Sequence, residues 1–286
     1  MPGLGAILTA SVTPFHADGR VDAENAVRLW RHLLDHGSDG IVVAGTTGEA
    51  TTLTDEEHVG LVALAVQEVG DRATIVAGAG SNDTRHAVEL TEQVTEAGAD
   101  AVLSVTPYYN KPNRRGIVAH FREVARATDK PVVLYNIPGR TALNMPPDLL
   151  AELGQLDGID GVKQANDDEL QPIDGLHVYA GNDAVLARTL DFGGAGGILV
   201  SSHVVGDEMR RMVDDPEHRA EIDASLQDVY EAMFVTASPA PVKAALNLLG
   251  HDVGGLRLPL VPCDDEELEV VRGALAAHGL LEAARA

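Results

Sequence analysis

The feature that most constrains this chain is an alternation: eight short, near-continuously apolar runs separated by longer amphipathic stretches. The runs fall at 6–12, 40–44, 74–77, 101–105, 132–135, 159–163, 177–180 and 197–200 and are rich in Val and Ile. A run that is apolar at successive positions must be covered on both faces, as strands of a parallel sheet are. Helical patterns lie between them at 22–36, 54–69, 82–97, 115–128, 146–153 and 183–192. The first places Ala26, Val27, Leu29, Trp30, Leu33 and Leu34 close to one stripe. The second opens Thr54-Asp55-Glu56-Glu57, the spacing of a capping box. Gly37, Gly98 and Gly193 stand where C-terminal helix caps are expected.

Eight such units with no Pro/Ser-rich linker predict an α/β fold, a (β/α)8 or TIM barrel, over residues 1–215. A doubly wound sheet is the competing arrangement, but no Gly-x-Gly-x-x-Gly follows the first run. From about Pro216 the pattern turns wholly helical, at 217–235, 239–249 and 264–284. It predicts a C-terminal helical region, 216–286, packed on the barrel.

The 44 acidic residues outnumber the 21 Lys and Arg, for a formal charge of −23. Such a field repels phosphate backbones and anionic bilayers, so neither nucleic acid nor a membrane is an expected partner. No run of 18 apolar residues is present to span a bilayer. The first residues show no basic segment ahead of an apolar one, as a secretory signal would. The one cysteine, Cys263, cannot form an internal disulfide. Together these features lead us to expect a cytoplasmic protein. The excess of acid reads most simply as a solvated surface.

In a barrel, chemistry belongs at the C-terminal strand ends. Those ends read Gly45-Thr46-Thr47-Gly48-Glu49, Gly80-Ser81-Asn82-Asp83, Thr106-Pro107-Tyr108-Tyr109-Asn110, Tyr135-Asn136-Ile137-Pro138-Gly139-Arg140-Thr141, Lys163, Gly181-Asn182-Asp183 and Ser201-Ser202-His203. Only four of the cations are lysines. Lys130 precedes a strand, Lys243 belongs to the C-terminal helices, and Lys111 sits in a polar loop. Lys163 alone ends an apolar strand and would face the barrel mouth, where desolvation lowers an amine's pKa and frees it to attack a carbonyl. The plainer alternative is a lysine paired with a buried carboxylate. Residues 45–49 offer backbone N–H groups, that of Gly48 included, and two hydroxyls: a cradle for a carboxylate, or simply a strand-to-helix turn. Arg140 could clamp a second carboxylate or form a surface ion pair.

Metal chemistry finds little support. His32 and His36 are four apart, but no glutamate follows His32, and the first barrel helix should turn both to solvent. His203 stands alone, Cys263 has no neighbouring histidine, and no Gly-x-Ser-x-Gly elbow exists. No metal and no cofactor are expected.

Residues 45–49, 106–110, 135–141 and 161–163 together resemble the motifs of the dihydrodipicolinate synthase and N-acetylneuraminate lyase family, in order and at matching spacing. Pro239-Ala240-Pro241-Val242-Lys243 and Leu256-Arg257-Leu258-Pro259 also resemble segments of that family. The Thr-Thr pair, the double tyrosine and Pro-Gly-Arg-Thr are most similar to the dihydrodipicolinate synthase branch, since the sialic-acid lyases usually show Gly-Ser-Thr-Gly-Glu. The resemblance implies a pyruvate-dependent class I aldolase on a TIM barrel with a helical extension. It implies condensation of pyruvate with L-aspartate-4-semialdehyde to 4-hydroxy-tetrahydrodipicolinate, in diaminopimelate and lysine biosynthesis.

By the same resemblance, Lys163 would form the Schiff base and Tyr135 would be the general acid/base. Thr46 would join Tyr135 to Tyr109, which in this family reaches in from the neighbouring subunit of a tight dimer. Thr47 would hold the pyruvate carboxylate, Arg140 that of the aldehyde, and Ile198 would offer a backbone carbonyl. Effector lysine would meet positions matching Ala50, His58, Asn82, His86 and Tyr108. His86 replaces a glutamate there, so weak or absent feedback is expected. Gln164 replaces an acid but should point away from Lys163, with little effect on catalysis. Only about 167–173 remains for the sixth helix, which often helps join dimers, so dimer or tetramer stays open. Competing readings are an aldolase for 2-keto-3-deoxy sugar acids or N-acetylneuraminate, and a non-catalytic pyruvate-binding regulator.

Overall fold

The computed structural model describes residues 3–281. Eight parallel strands hydrogen-bond in sequence order and close on themselves: β1 (Ile7–Ala10), β2 (Gly40–Val43), β3 (Thr74–Gly78), β4 (Ala101–Val105), β5 (Val132–Asn136), β6 (Ile159–Gln164), β7 (His177–Ala180) and β8 (Gly196–Leu199). The expected TIM barrel is thus the observed one, with β8 pairing β1 through Leu8 and Ile198. Strand periodicity sorts side chains into two layers. Leu8, Val42, Val76, Leu103, Val133 and Ile198 fill the interior. Their chain neighbours Ile7, Ile41, Ile75, Val102, Val132 and Leu199 turn outward to the helices.

The helices are α1 (Ala23–Asp35), α2 (Asp55–Val69), α3 (Thr84–Glu96), α4 (Arg114–Arg126), α5 (Pro138–Thr141), α6 (Pro147–Leu153), α7 (Leu186–Asp191), α8 (Gly206–Asp214), α9 (Arg219–Ala232), α10 (Ala240–Leu248) and α11 (Asp265–Ala277). The Thr54–Glu57 capping box forms at the start of α2, with both reciprocal hydrogen bonds made. Gly37, Gly98 and Gly193 each follow a helix with positive φ, as their cap role requires. Leu226, Val229, Val242, Leu246, Val271 and Leu275 of the C-terminal helices share one apolar core with the barrel's outer layer.

Three expectations change. Residues 167–173 form no helix but a single 3-10 turn, Asp167–Glu169. Pro172 lacks an N–H and disfavours helical backbone at Gln171, so the chain stays irregular there. A helix not read from the sequence, α8, buries only Met209 and Met212 as its apolar anchors, too few to make a stripe stand out. The last helix ends at Ala277 rather than Ala284, and 282–284 lie outside the described residues.

The N-terminal end of the barrel is pinned by acids. Asp39 accepts the Ala6 and Ile7 amides at 2.7 and 3.0 Å and pairs with Arg210. Asp100 accepts the Ile75 amide at 2.8 Å. Asp39→Ala would orphan two amides at the start of β1. It should lower unfolding free energy by about 2–3 kcal/mol in urea titration, with steady-state kinetics unchanged because the catalytic end is opposite.

Candidate functional site

β5 and β6 are paired so that Tyr135 lies beside Lys163, and β7 places Tyr179 on its other flank. All three point inward, because each is two residues from an inward neighbour or across from one. Lys163 is 5% exposed, and its Nζ stands 4.5 Å from the centroid of the Tyr135 ring. Among the described residues it has no ion-pair partner, so the alternative of a carboxylate-paired lysine is not the observed arrangement. Burial lowers its pKa to about 8; the Asp183 charge opposes this and the Arg140 charge adds to it. Burial likewise pushes the Tyr135 hydroxyl up to about 12, against the Arg140 charge and a hydrogen bond with Thr46. At neutral pH the phenol therefore carries its proton and can donate it, and the lysine yields its proton more readily than in water.

A cavity of about 490 Å³ has Thr46, Tyr135 and Arg140 on its wall, and Tyr135 joins it to Lys163, which is not itself a lining residue. Thr47 is buried in the same turn, and the Gly48 carbonyl accepts the Thr13 hydroxyl at 2.7 Å. Ile198 lies in the interior cluster with Tyr135. The structure thus brings Lys163, Tyr135, Thr46 and Arg140 to one place. Tyr109 is not among them: it is 87% exposed, on a backbone of φ +70°.

Ala50, His58, His86 and Tyr108 line the same cavity, whereas Asn82 does not. The Asn82 carbonyl instead accepts Asn110 Nδ2 at 2.8 Å. His86 is held between Ser81 Oγ at 3.1 Å and Asp55 at 3.1 Å. Gln164 points outward, as expected. Its Oε1 accepts Asn136 Nδ2 at 3.0 Å and the Asn166 amide at 3.1 Å.

His36 is exposed as expected, but His32 is half-buried rather than solvated. Its ring lies tilted between those of His36 and His251, at 4.3 and 4.2 Å, because the chain beyond α10 folds back over α1. Helical periodicity could not show that cover. No metal-holding group of three or more His, Cys, Asp or Glu occurs among the described residues. His203 is structural: its ring links the Val12 amide at 3.2 Å to the Val200 carbonyl at 2.7 Å.

The strand-end reading included Asp183 but gave it no role. It is buried and accepts the Val200 and Ser201 amides, both at 2.9 Å, and the Ser201 hydroxyl at 2.7 Å. Its charge is one that Lys163 feels. Its place at a strand end was legible; its depth was not.

The chain matches the family model described as the dihydrodipicolinate synthetase family over residues 3–278. It is 43% identical to a 4-hydroxy-tetrahydrodipicolinate synthase of Moorella thermoacetica, over 97% of this chain and 99% of that one. Solved structures agree. The enzyme of Cyanidioschyzon merolae with lysine bound is 41% identical with a TM-score of 0.92, covering 97% of this chain and 99% of that one. The chloride-inhibited dihydrodipicolinate synthase of Acinetobacter baumannii, complexed with pyruvate, is 33% identical with a TM-score of 0.94, covering 98% and 100%.

The folded pKa of Lys163, about 8, lies below its ordinary 10.5, so folding opposes protonation. The cost is complete below about pH 8 and vanishes above about pH 10.5. Lys163→Met should therefore be more stable than wild type at pH 7, on the order of 3 kcal/mol. Melting curves taken from pH 7 to 10.5 should show that advantage shrink.

Proposed function

The chain belongs to the dihydrodipicolinate synthetase family, and on that footing we propose how its barrel mouth works. The protein is a lyase that condenses pyruvate with L-aspartate-4-semialdehyde to give 4-hydroxy-tetrahydrodipicolinate, on the route to diaminopimelate and lysine. The observation that carries the residue roles is the buried, carboxylate-free amine of Lys163 against Tyr135.

The neutral amine attacks C2 of pyruvate, and the carbinolamine loses water to form an imine. Tyr135, protonated at neutral pH, supplies the proton that lets water leave. Thr46 links that hydroxyl to Tyr109, brought by a second copy of the chain. The outward aim of Tyr109 supports a tight dimer, because within one chain its ring has nothing to serve. Thr47 and the Gly48 amide hold the pyruvate carboxylate, and the Ile198 carbonyl faces the reacting groups. The imine draws electrons from the methyl carbon, whose proton is lost to give an enamine. The enamine carbon attacks the aldehyde while Arg140 holds that substrate's carboxylate. The substrate's own amine then displaces Lys163 and closes the ring. The covalent imine supplies the electron sink, so the reading calls for no cofactor. The reaction is assigned to the cytoplasm with the rest of this reading; among the described residues no helix is long and apolar enough to cross a membrane.

Borohydride reduction in the presence of pyruvate should fix a pyruvyl group on the peptide bearing Lys163. An adduct elsewhere, or none, sinks the role of Lys163, and only the absence of any adduct would point to a non-catalytic regulator. Turnover of a sugar-acid aldehyde in preference to L-aspartate-4-semialdehyde would reassign the substrate.

Feedback by lysine should be weak. Beside the matching effector positions, both Asp55 oxygens lie within 3.3 Å of His86 Nε2, so that carboxylate is already engaged. Initial rates titrated with L-lysine should stay near the uninhibited value at millimolar concentrations. Strong inhibition there would overturn the expectation.

A further inference from the structure

Glu49 closes the turn that carries Thr46 and Thr47, and its side chain is fully buried. Lys243 Nζ donates to one carboxylate oxygen at 2.6 Å, and the Arg257 amide to the other at 3.0 Å. The ammonium, 1% exposed, also donates to the Gly255 carbonyl at 2.6 Å and lies 4.3 Å from the Phe15 ring centroid. Both partners of Glu49 come from the C-terminal part of the chain. The Arg257 side chain is fixed in its turn, bonding both Glu57 oxygens at 2.7 and 2.6 Å. Gly254 lets that segment close in, since a Cβ there would stand 1.9 Å from the Phe15 carbonyl.

The backbone shows that the side chain matters. Glu49 has φ +56°, ψ +36°, the left-handed region that a Cβ makes costly. Glycine would hold the same conformation without that cost. The turn is also secured by Glu49 N to Thr46 O at 3.1 Å, Ala50 N to Gly45 O at 3.2 Å, and the Thr13 hydroxyl to Gly48 O at 2.7 Å. Strain persists only where the surroundings over-determine it, and here the cation in direct contact is Lys243, with the Arg257 guanidinium farther off. Removing one member of a buried pair strands the other's charge, whereas replacing both by neutral groups need not destabilise.

We propose that Glu49 and Lys243 are positioning residues for the reaction. Their ion pair holds the turn so that Thr46 meets Tyr135 and Thr47 meets the pyruvate carboxylate. The inference rests on the roles given above to those two threonines. Displacement of such a turn by about 1 Å is enough to cost one to two orders of magnitude.

The test compares wild type with Glu49→Asp, Lys243→Met and the double variant Glu49→Gln/Lys243→Met. Each is measured for KM of pyruvate, KM of the aldehyde, kcat and thermal midpoint. Glu49→Asp keeps the charge and shortens the reach by one methylene. It should raise the pyruvate KM about tenfold while the aldehyde KM moves by less than about twofold. Lys243→Met should lose stability. The double variant should regain much of it while its pyruvate KM stays raised. A folded Glu49→Asp or double variant with a pyruvate KM within about twofold of wild type overturns the proposal. So does a failure of both to fold, because the pair then serves the fold alone. Borohydride trapping of wild type separates the two levels. No adduct at Lys163 removes the reading beneath the proposal, whereas a normal adduct with unaltered variants removes only the proposal.

Discussion

An amine excluded from water and given no counter-charge is unstable as an ammonium, and the architecture around Lys163 enforces that condition. The closed sheet supplies it: an inward residue on β6 is walled by its neighbours on β5 and β7, here two tyrosines. Arg140 adds a repelling charge, and Asp183 restrains the shift from a distance without forming an ion pair. The same desolvation acts in the opposite sense on Tyr135, raising a phenol while lowering an amine. One low-dielectric pocket thus prepares an acid and a nucleophile together.

Lys243 is the instructive contrast. It is at least as buried as Lys163, yet it lies against a carboxylate, a carbonyl and an aromatic face. Both amines have lowered pKa values through burial, but that of Lys243 is opposed by a full charge in direct contact. Burial alone does not make a reactive lysine; burial without a partner does.

Much of this was legible in the sequence. Near-continuous apolar runs and helical stripes specified the barrel, and the inward parity of Lys163 followed from its strand. What stayed hidden depends on contacts far apart along the chain. The sequence places Lys243 in a helix but cannot show that Glu49, 194 residues earlier, receives it. The contact of His251 with His32 is hidden for the same reason. The stretch 167–173 failed differently: a local signal, Pro172, outweighed the expectation that every barrel strand is followed by a helix.

The link from Glu49 to Lys243 and Arg257 has a consequence for biosynthesis of the chain itself. Every strand-end residue of the site has left the ribosome before Lys243 is added. Until it arrives, the Glu49 carboxylate beside Thr46 and Thr47 lacks the cation that it meets in the finished fold. A nascent barrel therefore carries its reactive lysine before the turn opposite is locked. The contacts that fix this turn form only once the C-terminal segment is present.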